Sequence, residues 1–462
     1  MTTQPGRVST TWSERAVREA LGLPPGSGKA TYTGISTDTR TISKGALFVA
    51  LAGERFDAHD FLDAALKAGA AAAVVRLNTT PVPGLTLIEV PDTLQAYGML
   101  ARARRRQIAG PVVAITGTNG KTSTKEMVAA VLRTRWRTHA TRANLNNLVG
   151  VPQTILEAAT DVEAMVIEAG ASLPGEIARY RAIIEPGISI VTNASAGHVE
   201  GFGSLEGVVA EKLELVRDVP VVFVGNSPPT LADRSRALGA GKVATIGLSR
   251  AEVTPESISV GTDGRPTIVV DGRSFTLPLL GAHQAENSLF AWAVAKELGL
   301  DLDAAAQALS AVVLPKGRGE VIQSGQLTIV NDSYNANPAS FRTIIAVARA
   351  MRAGRRLVFV AGTMRELGDA SDREHHLIAE AIVGLKPDLL AVVGEFIPAI
   401  APWVSMLGAK LITAEDAPGL ASKLAERLRG DELVILKASR GVALERILPA
   451  VTSRAIPPAS EA

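Results

Sequence analysis

No cysteine occurs in the 462 residues. That excludes disulfides, thiolate metal centres and a cysteine nucleophile, so any bound metal must be hard and held by oxygen or imidazole. Net charge is nearly absent too. With 48 basic against 46 acidic residues the balance is +2, which offers no broad electrostatic footprint for nucleic acid. The local exception is ARARRRQ, where Arg102, Arg104, Arg105 and Arg106 close a helical pattern just before an apolar strand. A solvated helix end near a domain junction accounts for it. No apolar run reaches the roughly 18 uninterrupted residues of a membrane helix, and the polar start MTTQPGRVSTTW lacks the pattern of a secretory signal. The expected protein is cytoplasmic, with no membrane span and no nucleic acid partner.

What is present is ample apolar material, 47% of the chain, in a length that suggests about three domains. Residues 1–109 mix short strands with an alanine-rich helix, as in a small α/β unit. Residues 110–314 alternate apolar strands (AMVIEAG, ISIVTN, VPVVFVG) with helical patterns, which implies a largely parallel sheet covered by helices. Residues 315–462 repeat the alternation in LTIVNDSY, RRLVFVAGTM, DLLAVVGEF and DELVILKAS, predicting a second, Rossmann-like doubly wound sheet. The fold class is α/β in three domains.

The densest chemical signal is PVVAITGTNGKTS, from Pro111 to Ser123. Val112 to Ile115 suit a buried strand, Gly117 and Gly120 permit tight backbone turns, and Lys121 to Arg133 follow a helical period. Such a loop points backbone N–H groups and a helix N-terminus at an anion, while a lysine balances the outer phosphates and a hydroxyl ligates magnesium. Lys121 and Thr122 fill those roles. Ile115 stands where the general phosphate-loop pattern wants a glycine, so Gly117 supplies the turn in a shorter variant.

Chemistry in such sheets gathers at the carboxyl ends of the strands. Glu168 closes the apolar strand MVIEAG, where a carboxylate is either a magnesium ligand, a salt-bridge partner or a helix cap. His198 and Glu200 lie in the glycine-rich stretch GHVEGFGS, and a lone loop histidine is commonly structural. Lys212, flanked by Glu211 and Glu214, reads from pattern alone as a solvated helical lysine. His375 and His376 are adjacent on a helix and read as surface residues rather than a metal pair.

The separated motifs STDTR with LFVALAGERFDAHDF, TGTNGKTS, NLNNLVGVP, EAGAS, GHVEGFGS, GAHQAENS, KGRGE, NDSYNANPAS and MRELG resemble those of the Mur ligases over nearly the whole chain. NLNNLVGVP and NDSYNANP resemble the member that joins D-alanyl-D-alanine to a UDP-N-acetylmuramoyl-tripeptide. The Asp-Asn-Pro-Arg selector of the sister that adds the third amino acid is missing from the sequence. The resemblance implies ATP-dependent amide formation through an acyl phosphate, giving the pentapeptide precursor of peptidoglycan. Another amide ligase of the same architecture, extending folate with glutamate or joining amino acids in a storage polymer, is the alternative.

Residue by residue, the resemblance implies an ATP site of Gly117, Thr118, Asn119, Gly120, Lys121, Thr122 and Ser123. His283 and Asn287 of GAHQAENS, Arg318 of KGRGE and Asp332 of NDSY would join it. It implies two magnesium ions, one on Thr122 and Glu168, the other served by His198 and a Lys212 carbamylated by carbon dioxide, since an ammonium has no lone pair for a metal. Lys121, Lys212, His198 and Arg318 would be the catalytic groups. Ser36, Thr37, Asp38 and Arg40 would bind the UDP part. Asn144, Asn146 and Asn147 would bind sugar or peptide, and Tyr334, Asn335 and Asn337 the dipeptide or nucleotide. The sequence departs from the family pattern at Thr363, where aspartate is common, at Ala438, where glycine is usual, and at Leu173, where histidine is common. A monomer that closes its domains around ATP is expected.

Overall fold

The computed structural model describes residues 10–26, 28–53, 56–195 and 199–455. Three α/β regions follow one another, each built on its own sheet. In the first, four short parallel strands run in the order Ile35–Ser36, Leu47–Val49, Ala72–Arg76, Thr86–Val90. Apolar residues on the last three strands, with Trp12, Val17 and Leu100, form its core.

The central sheet is wholly parallel, in the order Thr138–Ala140, Ala164–Glu168, Val112–Thr116, Ile188–Val191, Val221–Gly225, Lys242–Ile246. Strands covered on both faces must be apolar throughout, and every residue of Val112–Thr116, Ala164–Glu168 and Ile188–Val191 is buried. Chain order reverses beside Val112–Thr116, which places a crevice at the carboxyl ends of that strand and its neighbours. Helix Lys121–Leu132 packs there on helix Ala282–Glu297 through Val128, Leu132, Leu289 and Trp292. Trp292 is wholly buried, with its indole N–H on Asp271 at 2.8 Å. A three-stranded antiparallel sheet, Ser257–Val260, Pro266–Val270 and Arg273–Thr276, adds an element not foreseen from the alternation of the sequence.

The third sheet runs Glu320–Ser324, Leu327–Asp332, Leu433–Lys437, Leu357–Ala361, Leu389–Val393, Leu411–Ala414. All neighbours are parallel except the first pair, whose antiparallel edge strand follows from the short turn at Gly325. Helix Pro338–Met351 covers it with Phe341, Ile344, Ile345, Ala348 and Met351, the 3–4 spacing of an amphipathic helix.

Two expectations are corrected by packing. The ARARRRQ run does lie at a junction, but it is not merely solvated. Helix Thr93–Arg105 ends against the C-terminus of helix Glu176–Ile184, where the Arg105 guanidinium donates to the carbonyls of Ile184 and Glu185 and where Arg102 and Arg106 share the Glu185 carboxylate. Arg104 is buried and donates to Ala158 and Ala159 carbonyls. Two guanidiniums on helix-end carbonyls and two on the Glu185 carboxylate thus clamp the first region to the second. His375 is not a surface residue either. It is buried, accepts the Met364 N–H at Nε2 (2.8 Å), donates from Nδ1 to the Ser371 carbonyl (2.8 Å) and packs on Phe396, so burial lowers its pKa; His376 remains exposed.

Candidate active site

Strand Val112–Thr116 runs into the loop Gly117–Gly120, and helix Lys121–Leu132 starts at once. Both loop glycines are demanded by space. Gly117 has φ +148°, and a Cβ there would stand 1.9 Å from Thr192 Oγ1; Gly120 has φ +80°, and a Cβ there would stand 2.4 Å from Asn287 Oδ1. The loop is braced by the end of the adjacent strand. Thr118 N–H donates to the Asn193 carbonyl (3.0 Å), Asn119 N–H to Asn193 Oδ1 (3.0 Å) and Thr192 Oγ1 to the Asn119 carbonyl (2.6 Å). Thr192 and Asn193, in the segment VTNAS, escaped the sequence reading because their work is to hold backbone rather than to carry chemistry.

Lys121 folds back over this loop, its Nζ donating to the carbonyls of Gly117 (2.7 Å) and Thr118 (3.1 Å). Burial pushes its pKa down and the positive charge of Arg318 adds to that, while Glu168 and Glu366 oppose it. Thr122 Oγ1 donates to Glu168 Oε2 at 2.9 Å, and Asn146 Nδ2 donates to Glu168 Oε1 at 2.8 Å. The carboxylate is buried, and among the described residues it is held by these two neutral donors rather than by an ion pair. Glu211 and Glu176 receive the N–H groups at the start of helix Glu176–Ile184 instead. Ser123 is buried in the first turn behind Thr122.

Lys212 is corrected from a solvated lysine to a buried one. Its helix, Leu205–Leu213, turns it inward because Glu211 is spent on the N–H groups of Gly175 and Ile177, and Glu214 pairs with Arg217. Burial, reinforced by the charge of Lys121 and opposed by Glu211, lowers its pKa to about 7. The lowered pKa raises the share of neutral amine near neutral pH, and the neutral amine is the form that adds carbon dioxide. His198 lies outside the described residues, as does the side chain of Glu200.

The third region completes the crevice. Arg318 lies over the Tyr334 ring at 3.9 Å, with its Nε buried and unpartnered, and its charge is felt at Lys121. Asp332 accepts Gly319 N–H (3.0 Å) and Lys437 Nζ (2.6 Å), so it fixes the KGRG loop to the end of strand Leu433–Lys437. Lys437 was not foreseen; its only signal was a lysine closing an apolar strand. Asn337 Nδ2 donates to Asn119 Oδ1 of the phosphate loop at 2.7 Å. Asn335 is exposed, its Oδ1 on its neighbour's N–H.

His283 and Asn287 share one helix face that spans two neighbourhoods. Asn287 lies beneath Gly120, bonded to Gln284. His283 faces Asp332 and Lys437, and burial takes its pKa down to about 4, with Lys437 adding to the fall and Asp332 opposing it. The amide loop divides similarly: Asn146 orients Glu168, Asn147 Oδ1 accepts the N–H groups of Val149 and Gly150 where helix Gly150–Leu156 begins, and Asn144 is exposed.

Ser36, Thr37 and Asp38 line a pocket of about 240 Å³ with Trp12, Tyr97 and Gln153, between the first region and helix Gly150–Leu156. Arg40 is not in that lining; it forms a two-pronged pair with Asp38 (2.9 and 2.7 Å), which holds the Asp38 carboxyl down at about 2. Of the departures, Thr363 keeps a polar contact, accepting Glu395 N–H at 3.0 Å, and Ala438 packs beside Gly362. Leu173 is solvent-exposed.

Among the described residues no three histidine, aspartate or glutamate side chains gather as a metal cluster. The oxygen pair of Thr122 and Glu168 nevertheless suits a hard cation whose other ligands are phosphate and water. No helix is long and apolar enough to cross a membrane among those residues.

Family models match along the chain: a Mur ligase family catalytic domain over 31–105, a Mur ligase middle domain over 115–295 and a Mur ligase glutamate ligase domain over 317–440. The UDP-N-acetylmuramoyl-tripeptide--D-alanyl-D-alanine ligase of Escherichia coli is 36% identical over 435 residues, covering 91% of this chain and 94% of its own. Among solved structures, MurF of Acinetobacter baumannii superposes with a TM-score of 0.87 at 28% identity over 96% of this chain and all of that one. MurF ligase of Thermotoga maritima in complex with ADP gives 0.80 at 27% identity over 91% and 97%. The chain belongs to the Mur ligase family.

Proposed function

We propose that this protein uses ATP to join the terminal carboxylate of UDP-N-acetylmuramoyl-tripeptide to the amine of D-alanyl-D-alanine, giving the pentapeptide precursor of peptidoglycan. The observation that carries the reading is the convergence of Lys121, Glu168, Lys212 and Arg318, drawn from separate parts of the chain, on one phosphate loop. The relative named for that reaction, alike over nine-tenths of both chains, favours it over another amide ligase of the same architecture.

A carboxylate is a poor electrophile. Its oxygen attacks the γ-phosphorus, the bond to the bridging oxygen breaks and ADP leaves, producing an acyl phosphate. The dipeptide amine then attacks the carbonyl carbon; the C–N bond forms, the C–O bond to phosphate breaks, and phosphate and a proton depart. Each step gathers negative charge, so catalysis is positioning and neutralisation. Lys121 exchanges the Gly117 and Thr118 carbonyls for phosphate oxygens, and Arg318 presents an unpartnered N–H to the same charge. Thr122 and Glu168 would hold one magnesium ion, Lys212 as its carbamate and His198 a second; such ions supply charge neutralisation at the transferred phosphoryl group. Asn287 and His283 lie along the nucleotide side, Asp332 orders the junction, and the Ser36–Asp38 pocket takes the UDP part.

The domain limits near residues 109 and 314, a cytoplasmic location and a single chain as the working unit belong to the same reading. The test is phosphate release from ATP with UDP-tripeptide, with and without D-alanyl-D-alanine. Release that requires the dipeptide is expected; none above the dipeptide-free rate overturns the proposal.

A further inference from the structure

The acceptor in this reaction carries a carboxylate of its own, and a site that already holds ATP and a second carboxylate needs a dedicated cation for it. The candidate must stand one dipeptide length from the phosphoryl group. Arg318 marks the phosphate side of the Tyr334 ring, and Arg440 stands against the same ring, its guanidinium carbon 5.7 Å from the centroid against 3.9 Å for Arg318. The two guanidiniums are therefore no farther apart than those two separations laid end to end. An extended dipeptide spans about 7 Å, which lies within that upper limit, so Arg440 is not too far away to meet its carboxylate end.

The backbone that carries Arg440 is fixed. Lys437 Nζ donates to Asp332 and to the Asn335 carbonyl (2.6 Å), Ser439 N–H donates to the Thr363 carbonyl (3.1 Å), and Ser439 Oγ donates to the Ala336 carbonyl (3.3 Å) and accepts Arg365 N–H (2.9 Å). The loop bearing Tyr334 and the loop bearing Arg440 are thus one rigid unit. The side chain itself is 68% exposed, and among the described residues its charged partner is Glu445, at 3.1 Å. An exposed pair of that kind is worth little and is readily exchanged for a substrate carboxylate. Lys437, by contrast, is buried and already paired with Asp332. Two guanidiniums beside one ring thus take two tasks: Arg318 for the phosphoryl group, Arg440 for the far end of the acceptor.

We propose that Arg440 receives the terminal carboxylate of the incoming dipeptide and makes a free carboxylate, one dipeptide length from the amine, a requirement of the acceptor. This rests on the ligase reading above. Once the bound dipeptide excludes water from the guanidinium, a carboxylate held there contributes about 1.5–3 kcal/mol, or roughly 10- to 100-fold.

The experiment compares kcat/KM for D-alanyl-D-alanine and for D-alanyl-D-alaninamide, in the wild type and in Arg440→Gln, Arg440→Ala and Arg440→Lys, with ATP and UDP-tripeptide saturating. The wild type should prefer the acid by about 10- to 100-fold. Gln and Ala should bring the ratio close to one by weakening use of the acid, and Lys should keep part of the preference. An undiminished ratio in Arg440→Gln, which keeps length and hydrogen-bonding reach if the Ala variant fails to fold, overturns the assignment. So does a wild type indifferent to the amide. Absence of dipeptide-dependent phosphate release in the wild type is the separate failure of the ligase reading.

Discussion

Asn337 and Asn119, 218 positions apart, meet side chain to side chain: Asn337 Nδ2 donates to Asn119 Oδ1 at 2.7 Å. Asn337 also caps helix Pro338–Met351, its Oδ1 accepting Ser340 N–H at 2.9 Å. One amide therefore starts a helix with its oxygen and, with its nitrogen, ties the third region to the phosphate loop.

The two halves of that amide can be separated. Asn337→Asp keeps a capping oxygen but turns a donor into an acceptor facing Asn119 Oδ1, so the melting temperature should stay within about 2 °C while the KM for ATP rises several-fold. Asn337→Ala should lose both, with about 1 kcal/mol of stability from the cap. Calorimetry beside steady-state kinetics makes the comparison; an Asp variant with unchanged ATP kinetics would show that the contact does not reach the loop.

Lys212 sets a pH dependence with a definite sign. A folded pKa of about 7 against the ordinary lysine value near 10.5 means the unfolded chain binds more protons between those limits, so the contribution to stability rises with pH from 7 to 10.5. Lys212→Met removes that rise and should melt higher than the wild type near pH 6, where the buried ammonium is most costly. The same variant should be inactive, and wild-type activity should fall in carbon dioxide-free buffer and return with bicarbonate. Full turnover by Lys212→Met would exclude the carbamate.

Glu168 holds Thr122 and Asn146 at once. Glu168→Gln keeps the volume but loses the charge, so kcat should drop by about 100-fold or more, with the magnesium needed for half-maximal rate rising. Asn146→Ala, which only frees the carboxylate to turn, should fall between about 10- and 100-fold. Magnesium titrations of the two variants check the order.

At the junction, Arg106 and Arg102 hold the Glu185 carboxyl down at about 2. Because this folded pKa is depressed, the pair stabilises above the ordinary carboxylate range and is lost as pH falls from about 4.5 towards 2. Glu185→Gln should flatten the loss of stability over that window, with little change at pH 7, as urea unfolding at stepped pH would show; an unchanged acid limb would remove the clamp from the account.

Much of the fold was legible because buried parallel strands advertise themselves: VVAIT, AMVIE and ISIV are apolar at every or almost every position, as strands covered on both faces must be. The sheet Ser257–Thr276 was not, since its alternating, half-exposed strands resemble polar loop. The phosphate loop was legible from glycines at defined spacing, but Thr192 and Asn193, which brace it, look like any polar strand end. Lys212 shows the same limit from the other side. Its neighbours Glu211 and Glu214 suggested a solvated face, and only the fold shows that Glu211 is spent on the start of helix Glu176–Ile184 and Glu214 on Arg217.

By itself, then, the sequence determined the α/β class, the strand–loop–helix that starts at Val112, and the carboxylate at the end of the neighbouring strand. These depend on local period, on backbone freedom at glycine and on short-range order along one chain. The tertiary structure decided which charges are shared, which are buried and which face one another across regions: Lys212 beside Lys121, Asp332 on Lys437, Arg318 and Arg440 on one tyrosine ring. Burial and charge proximity depend on the whole fold, because the groups that shift a lysine's pKa or free an arginine's N–H lie tens to hundreds of residues away in sequence.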